Sequence, residues 1–396
     1  VRLDRLVPDL TMSDFVGCRL EVEDLQFEAT IGKGAFGDIY RGNYFGRPVA
    51  IKQLRVSVDN STAKYNDFRK EVWFMSGLDH QNIVNLIGYT VKPLCMVMEL
   101  VEGGDLYAYL HNDALSGQMG WPLRIKMTFE IARGMRYLHS STPPFIHRDL
   151  KTPNILLVSH DVRAPDICKI TDFGLASRLY IEKLKENVKE RAVSNPTWVA
   201  PEILKEDSFT LESDVYSYGL IVWELLTREH PFAEFEFKFM TQLEDSVKQG
   251  VRPTIPSWTP PVFKQLIEAL WHQDPTQRPT FADACEIVSQ IAAQMAPDLR
   301  FTEDSRDHWQ PRAHRHSTSS TSLASLGGTA RSTVNGDLLR QIVPDPPLLL
   351  DCMVYVESVE QVWGGCKDDI IAVWSAENGD ELTRVKGGHG SAGDAL

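Results

Sequence analysis

The stretch His147-Arg148-Asp149-Leu150-Lys151-Thr152-Pro153-Asn154 decides how this chain is read. It places an acid, a cation and an amide on one short loop. Asp172-Phe173-Gly174 and then Ala200-Pro201-Glu202 follow it. Each of these short motifs is ordinary alone, whereas all of them in this order form a specific signature.

Working outward, Gly32-Lys33-Gly34-Ala35-Phe36-Gly37 is a glycine-rich turn in which the lack of Cβ atoms lets a backbone close over phosphates. The dinucleotide-binding fingerprint shares this spacing, but there the last glycine opens a helix. Here Gly37 leads into strand-like Asp38-Ile39-Tyr40-Arg41. Val49-Ala50-Ile51-Lys52 then ends an apolar strand on a lysine, and a buried lysine needs a carboxylate partner. Glu71 supplies one. It lies on a helix marked by Phe68, Val72, Met75 and Leu78 at helical spacing. Leu25 to Ile31, Ile39 to Gly42 and Val49 to Leu54 read as strands. From Leu106 helical periods dominate, with amphipathic segments at Leu123 to His139, Ser213 to Leu226 and Pro261 to Trp271. Strands followed by helices predict an α+β fold with a β-rich lobe, a helical lobe and a ligand cleft between them.

With these motifs in place, residues 22–296 resemble a protein kinase, which implies a bilobal kinase fold with a β-rich N-lobe and a helical C-lobe. The resemblance implies ATP and Mg²⁺ as cofactors and a protein hydroxyl as acceptor. Gly32, Gly34 and Gly37 would cover the phosphates, and Lys52 with Glu71 would position them. Asp149 would be the catalytic base, with Lys151 reaching the γ-phosphate. Asn154 and Asp172 would hold Mg²⁺. Ile31, Ile39, Ala50, gatekeeper Met98, hinge residues Glu99 and Val101, and Asp105 at the ribose complete the expected nucleotide site. A methionine gatekeeper implies a small back pocket. Asp214 resembles the aspartate that anchors the catalytic loop, and Arg278 resembles the partner of Glu202.

Lys151 after Asp149 matches serine/threonine kinases. Trp198, Asp214 to Gly219 and Trp223-Glu224-Leu225 resemble the tyrosine-kinase-like group, whose members mostly phosphorylate Ser and Thr. Asn195 departs from that group's usual threonine, which keeps tyrosine or dual specificity open. So does a pseudokinase scaffold, although such proteins typically lose residues of the Lys52, Asp149 or Asp172 type. Ser177, Tyr180, Ser194 and Thr197 are candidate phosphosites whose phosphate could pair with Arg148. Ile181, Leu184 and Val188 could form a short helix in that segment, although a solvated mobile loop is the favoured reading.

Of the 396 residues, 43% are hydrophobic and 24% charged, which excludes collagen-like, coiled-coil and wholly disordered chains. A net charge of −13 argues against general nucleic-acid binding. No apolar run reaches the ~20 residues that span a bilayer. Six cysteines without a C-x-x-C pair point to reduced thiols and a cytoplasmic protein. Residues 1–21 read as a lead-in, and 297–347, rich in Ser, Thr, Gly, Arg and His, as a flexible linker. Residues 348–396 resume strand alternation, expected at Cys352 to Val356, Val362 to Cys366, Ile370 to Trp374 and Glu381 to Val385. This pattern resembles the first blade of a WD40-type β-propeller, incomplete here because one blade cannot bury its own faces. A kinase followed by a propeller resembles the Roco family, whose members carry a GTPase module upstream. The start at Val1, not Met, fits a piece of such a longer protein.

Overall fold

The computed structural model describes residues 18–33, 37–55, 61–117, 119–174, 177–178, 196–205 and 209–302, and six strands between 330 and 386. Alternation along β-strands divides its first lobe into two faces. Strands β1 (Leu25–Lys33), β2 (Gly37–Tyr44), β3 (Arg47–Leu54), β4 (Leu86–Val91) and β5 (Leu94–Glu99) form an antiparallel sheet in the order β1-β2-β3-β5-β4. Leu25, Val49, Ile51, Cys95 and Val97 make a small core on one face. Ala50 and Lys52 alternate with these residues and so point to the opposite face. Helix α1 (Ser61–Ser76) packs against β4 and buries Phe68, Val72 and Met75, as the spacing predicts. Residues read as a lead-in also join this lobe, since the Leu20 N–H donates to the Tyr89 carbonyl at 2.8 Å.

The second lobe is helical. It comprises α2 (Leu106–Leu110), α3 (Asp113–Ser116), α4 (Trp121–His139), α5 (Pro201–Leu204), α6 (Leu211–Thr227), α7 (Met240–Lys248), α8 (Pro261–Leu270) and α9 (Phe281–Met295). Helix α8 buries Phe263, Leu266, Ile267 and Leu270, a single stripe. The amphipathic expectation fails for α6, where every residue from Ser213 to Leu226 is buried. It fails largely for α4 too, which buries Lys126, Glu130 and Arg133 along with its apolar residues. Both helices run through the lobe's interior, packed by α8 and α9, so their polar side chains have partners inside the protein instead of solvent. Two short ribbons lie at the cleft edge: β6 (Phe145–Ile146) pairs with β9 (Ser177–Arg178), and β7 (Ile155–Leu157) pairs with β8 (Cys168–Ile170).

The chain divides into two compact units, 1–314 and 315–396. Leu299 and Phe301, read with the linker, pack on the helical lobe's core. A hairpin of β10 (Ala330–Val334) and β11 (Asp337–Ile342) also falls within the stretch read as linker. Asn335-Gly336 between those strands is a favoured two-residue hairpin sequence that the Ser/Thr-rich composition obscures. Strands β12 (Leu350–Val356), β13 (Gln361–Cys366), β14 (Ile370–Ser375) and β15 (Glu381–Lys386) form an antiparallel sheet in sequence order.

Candidate active site

Strand register assembles one wall of the candidate site. Gly32 pairs with Ile39, Ile39 with Lys52, Ala50 with Met98 and Lys52 with Met96. Directly paired residues share a face. Ile39, Lys52, Ala50 and Met98 therefore lie on one side of the sheet, next to Gly32. Ile31 is 52% exposed at the end of β1. A Cβ on Gly37 would lie 1.9 Å from the Gln53 carbonyl oxygen, so glycine there is required by close packing on β3. Gly34 lies outside the described residues.

Lys52 Nζ donates to Glu71 Oε1 at 2.7 Å and lies 3.6 Å from Asp172 Oδ1. Burial opposes the ammonium's charge, but the Glu71 and Asp172 carboxylates outweigh it and raise the Lys52 pKa. Lys52 is thus held as a cation between an acid of the sheet lobe and an acid beyond β8. Asp172 has φ 66° and Arg148 φ 68°. Non-glycine residues in that region cost about 1–3 kcal/mol each and collect at functional sites.

Across the cleft, Lys151 Nζ donates to both Asp149 carboxylate oxygens, at 2.9 and 2.8 Å. Asn154 Nδ2 donates to the Asp149 carbonyl at 2.8 Å and to its Oδ2 at 3.0 Å. With its amide nitrogen engaged, Asn154 presents a carbonyl oxygen. Together with the Asp172 carboxylate this is a hard, all-oxygen donor set suited to Mg²⁺, which needs one or two protein carboxylates plus phosphates. No cluster of three or more His, Cys, Asp or Glu able to hold a metal occurs among the described residues.

The loop bearing these groups is anchored from below. Asp214 of α6 accepts the backbone N–H groups of His147 at 2.8 Å and Arg148 at 3.0 Å, and lies 3.0 Å from His139 Nε2. Arg278 binds Glu202 twice, at 2.7 and 2.9 Å. Glu224 is a supporting acid to which the sequence reading assigned no role. Fully buried, it accepts Thr152 Oγ1 at 3.0 Å and Trp198 Nε1 at 2.7 Å, joining the catalytic loop to the segment before Glu202. Burial pushes its carboxyl pKa up. Its signal was an acid inside an apolar helix, which must find donors.

At the hinge, Glu99 accepts Lys169 Nζ at 2.9 Å and the Asn85 N–H at 2.8 Å through its side chain. Lys169 was not singled out from sequence, having no motif around it. Half-buried Val101 follows. Asp105 caps α2 by accepting the Ala108 N–H at 2.8 Å and forms an isolated bridge with Leu156, bringing β7 to the hinge. A Cβ on Gly103 would lie 2.2 Å from the Leu157 carbonyl oxygen, so this glycine permits the approach. Thr197, a candidate phosphosite, is 2% exposed. Tyr180, Ser194, Asn195 and the expected helix over Ile181, Leu184 and Val188 lie outside the described residues, as does the Ser177 side chain.

A lysine–glutamate pair beside Asp172, with a lysine-supported aspartate on the helical lobe, is the arrangement expected of a protein kinase. The family model "Protein tyrosine and serine/threonine kinase" matches residues 25–288, and the chain belongs to that family. Among its relatives in Dictyostelium discoideum are "Probable serine/threonine-protein kinase roco6", 38% identical over 91% of this chain, and "Probable serine/threonine-protein kinase pats1", 42% identical over 76%. The chain spans 20% and 10% of their respective lengths. "Serine/threonine-protein kinase STY46" of Arabidopsis thaliana is 36% identical over 70% of this chain and 46% of its own length.

Proposed function

We propose that this chain is the catalytic portion of a serine/threonine protein kinase that transfers the γ-phosphoryl group of Mg²⁺-ATP to a protein hydroxyl. The observation that carries the reading is the Lys52–Glu71 pair beside Asp172, with Lys151 and Asn154 on Asp149, the two groups joined where the Thr171 N–H donates to the Asn154 carbonyl at 3.0 Å. Lys52, fixed by Glu71, binds the α- and β-phosphates, while the glycine turn covers them. Met98, Glu99 and Val101 line the adenine, and Asp105 meets the ribose. Asp149 orients the acceptor hydroxyl and takes its proton. Lys151 holds the carboxylate in place and balances charge at the γ-phosphate. Asn154 and Asp172 would hold Mg²⁺, which would supply neutralisation of the phosphates' charge. The remaining catalysis is positioning by a preorganised site. Serine and threonine are favoured as acceptors by Lys151 and by the relatives' names.

The Dictyostelium relatives named roco support placing the chain in a longer Roco-type protein with a GTPase module. The four-stranded meander β12–β15 supports a propeller blade within it. The thiols buried at Cys95 and Cys168 fit a cytoplasmic setting. No described helix is long and apolar enough to cross a membrane.

Labelled ATP and a generic protein acceptor test the assignment. Asp149→Ala should abolish transfer and leave nucleotide binding intact. Equal labelling by both proteins would overturn it, and phosphotyrosine as the main product would overturn the acceptor class.

A further inference from the structure

Arg133 of α4 is a buried cation that the catalytic constellation does not use. It is 1% exposed, with its guanidinium carbon 5.5 Å from the Phe129 ring centroid. A charge so buried is tolerated only when its donors are satisfied. Nε donates to Asn82 Oδ1 at 2.8 Å, Nη1 donates to the Thr302 carbonyl, and Nη2 lies 3.5 Å from Asp166 Oδ1. Thr302 lies beyond the last helix of the kinase fold. Beside it Phe301 stacks on Phe129, with centroids 3.9 Å apart and planes 20° from parallel. Thr302 Oγ1 donates to the Pro165 carbonyl at 2.9 Å.

The groups gripped by this segment also hold the strand that leads to Asp172. Asn82 Nδ2 donates to the Cys168 carbonyl at 2.9 Å, and the Asn82 carbonyl accepts the Ile170 N–H at 2.8 Å. Glu130, one turn before Arg133 on α4, accepts the N–H groups of Ile167 at 2.7 Å and Cys168 at 2.8 Å. Lys126 donates to the carbonyls of Val162, at 3.1 Å, and Ala164. Only Thr171 separates β8 from Asp172. If Phe301 and Thr302 lifted away, Arg133 would lose a carbonyl partner and its cover, and would swing toward water. Asn82 and Asp166 would then lose their cation, and β8 its backing.

We infer that Leu299–Thr302 is a strap of the helical lobe, and that Phe301 and Arg133 are positioning residues for Asp172, acting through Asn82 and Asp166 on β8. The inference rests on reading Asp172 as the metal-holding acid.

Hydrogen exchange of the full chain, without metal or nucleotide, reads the strap directly. Phe301→Ala should speed exchange of the Ile167, Cys168 and Ile170 amides about tenfold and leave Val215 to Val222 of α6 unchanged, because opening is local. Phe301→Tyr, which keeps the stack, should restore protection. Thr302→Val, which removes only the Pro165 bond, should give a smaller increase and serves if Phe301→Ala does not fold. Calorimetric binding of Mg²⁺-ADP to Phe301→Ala should weaken about tenfold, the low end of effects from groups supporting metal ligands. Binding of ADP without metal should change less than about twofold by the same reasoning. Unchanged β8 exchange, or equal acceleration in α6, overturns the strap. Faster β8 exchange with unchanged Mg²⁺-ADP affinity overturns its positioning role. Normal Mg²⁺-ADP affinity in Asp172→Asn would place the failure in the metal reading.

Discussion

The two lobes hold their working residues by different means. In the sheet lobe Lys52 depends on one glutamate of the same lobe and on Asp172 from the other, and the sheet's outer face has only a small apolar cluster behind it. In the helical lobe the Asp149 loop rests on the buried acids Asp214 and Glu224 of α6, and the Arg278–Glu202 pair ties the residues after Ala200 to the segment before α9. Lys52 is held by two side-chain carboxylates, one from each lobe, whereas the Asp149 loop is fixed through its backbone, its His147 and Arg148 N–H groups both accepted by Asp214.

The largest expected effect tests the helical side. Asp149→Asn should lower kcat about 10³-fold in single-turnover transfer, within the range for a lost general base, with an unchanged melting temperature. A large fall in melting temperature would mean that Asp149 is a structural member of the loop. Arg278→Ala leaves the half-buried Glu202 unpaired, and should cost about 3 kcal/mol in denaturant unfolding, the low end for breaking a buried pair. A loss confined to activity would break the distinction between the lobes.

Glu130 sharpens the comparison through pH. Burial raises its carboxyl pKa to about 7 from an ordinary 4.5, so the folded state keeps a proton that the unfolded state releases. Its contribution to stability is therefore greatest below pH 4.5, declines as pH rises to about 7, and is flat above. Relative to Glu130→Gln, the wild type should lose about 3 kcal/mol across that window. Parallel stability curves for the two proteins would show that Glu130 is not a buried titrating group.

On the sheet side, Lys52→Met should reduce kcat/KM about 10²-fold, since it removes a charge interaction with the phosphates. The smallest effect belongs to the exposed Arg41–Glu102 pair, at 2.6 Å. Arg41→Ala should change stability by less than about 1 kcal/mol. A greater loss would show that this exposed contact contributes to holding β2 near the hinge.

Legibility followed chemistry. Lys52, Glu71, Asp149, Asn154 and Asp172 could be picked out because phosphoryl transfer demands those residue types, and the chain spells them in short motifs. Asp214 and Arg278 were readable for the same reason. Lys169, Glu130 and Arg133 carry no motif, and Glu224 lies in one that names no role for it; the partners of Glu224, Lys169, Glu130 and Arg133 are on other elements, at Trp198, Glu99, Ile167 and Thr302 respectively. Periodicity misjudged α4 and α6 because a helix packed on all sides has no solvent face to mark. Composition misjudged 297–302 because its anchorage is two apolar side chains, Leu299 and Phe301, and the carbonyl and hydroxyl of Thr302.

The order of strands and helices, the site's residue types and the family were written along the chain, since local hydrophobic spacing and reaction chemistry both act through short stretches of sequence. Which acid faces which cation was decided only in three dimensions. Burying a charge is costly until a distant donor or acceptor meets it, and that meeting depends on how sheet, helices and the segment after Met295 pack together.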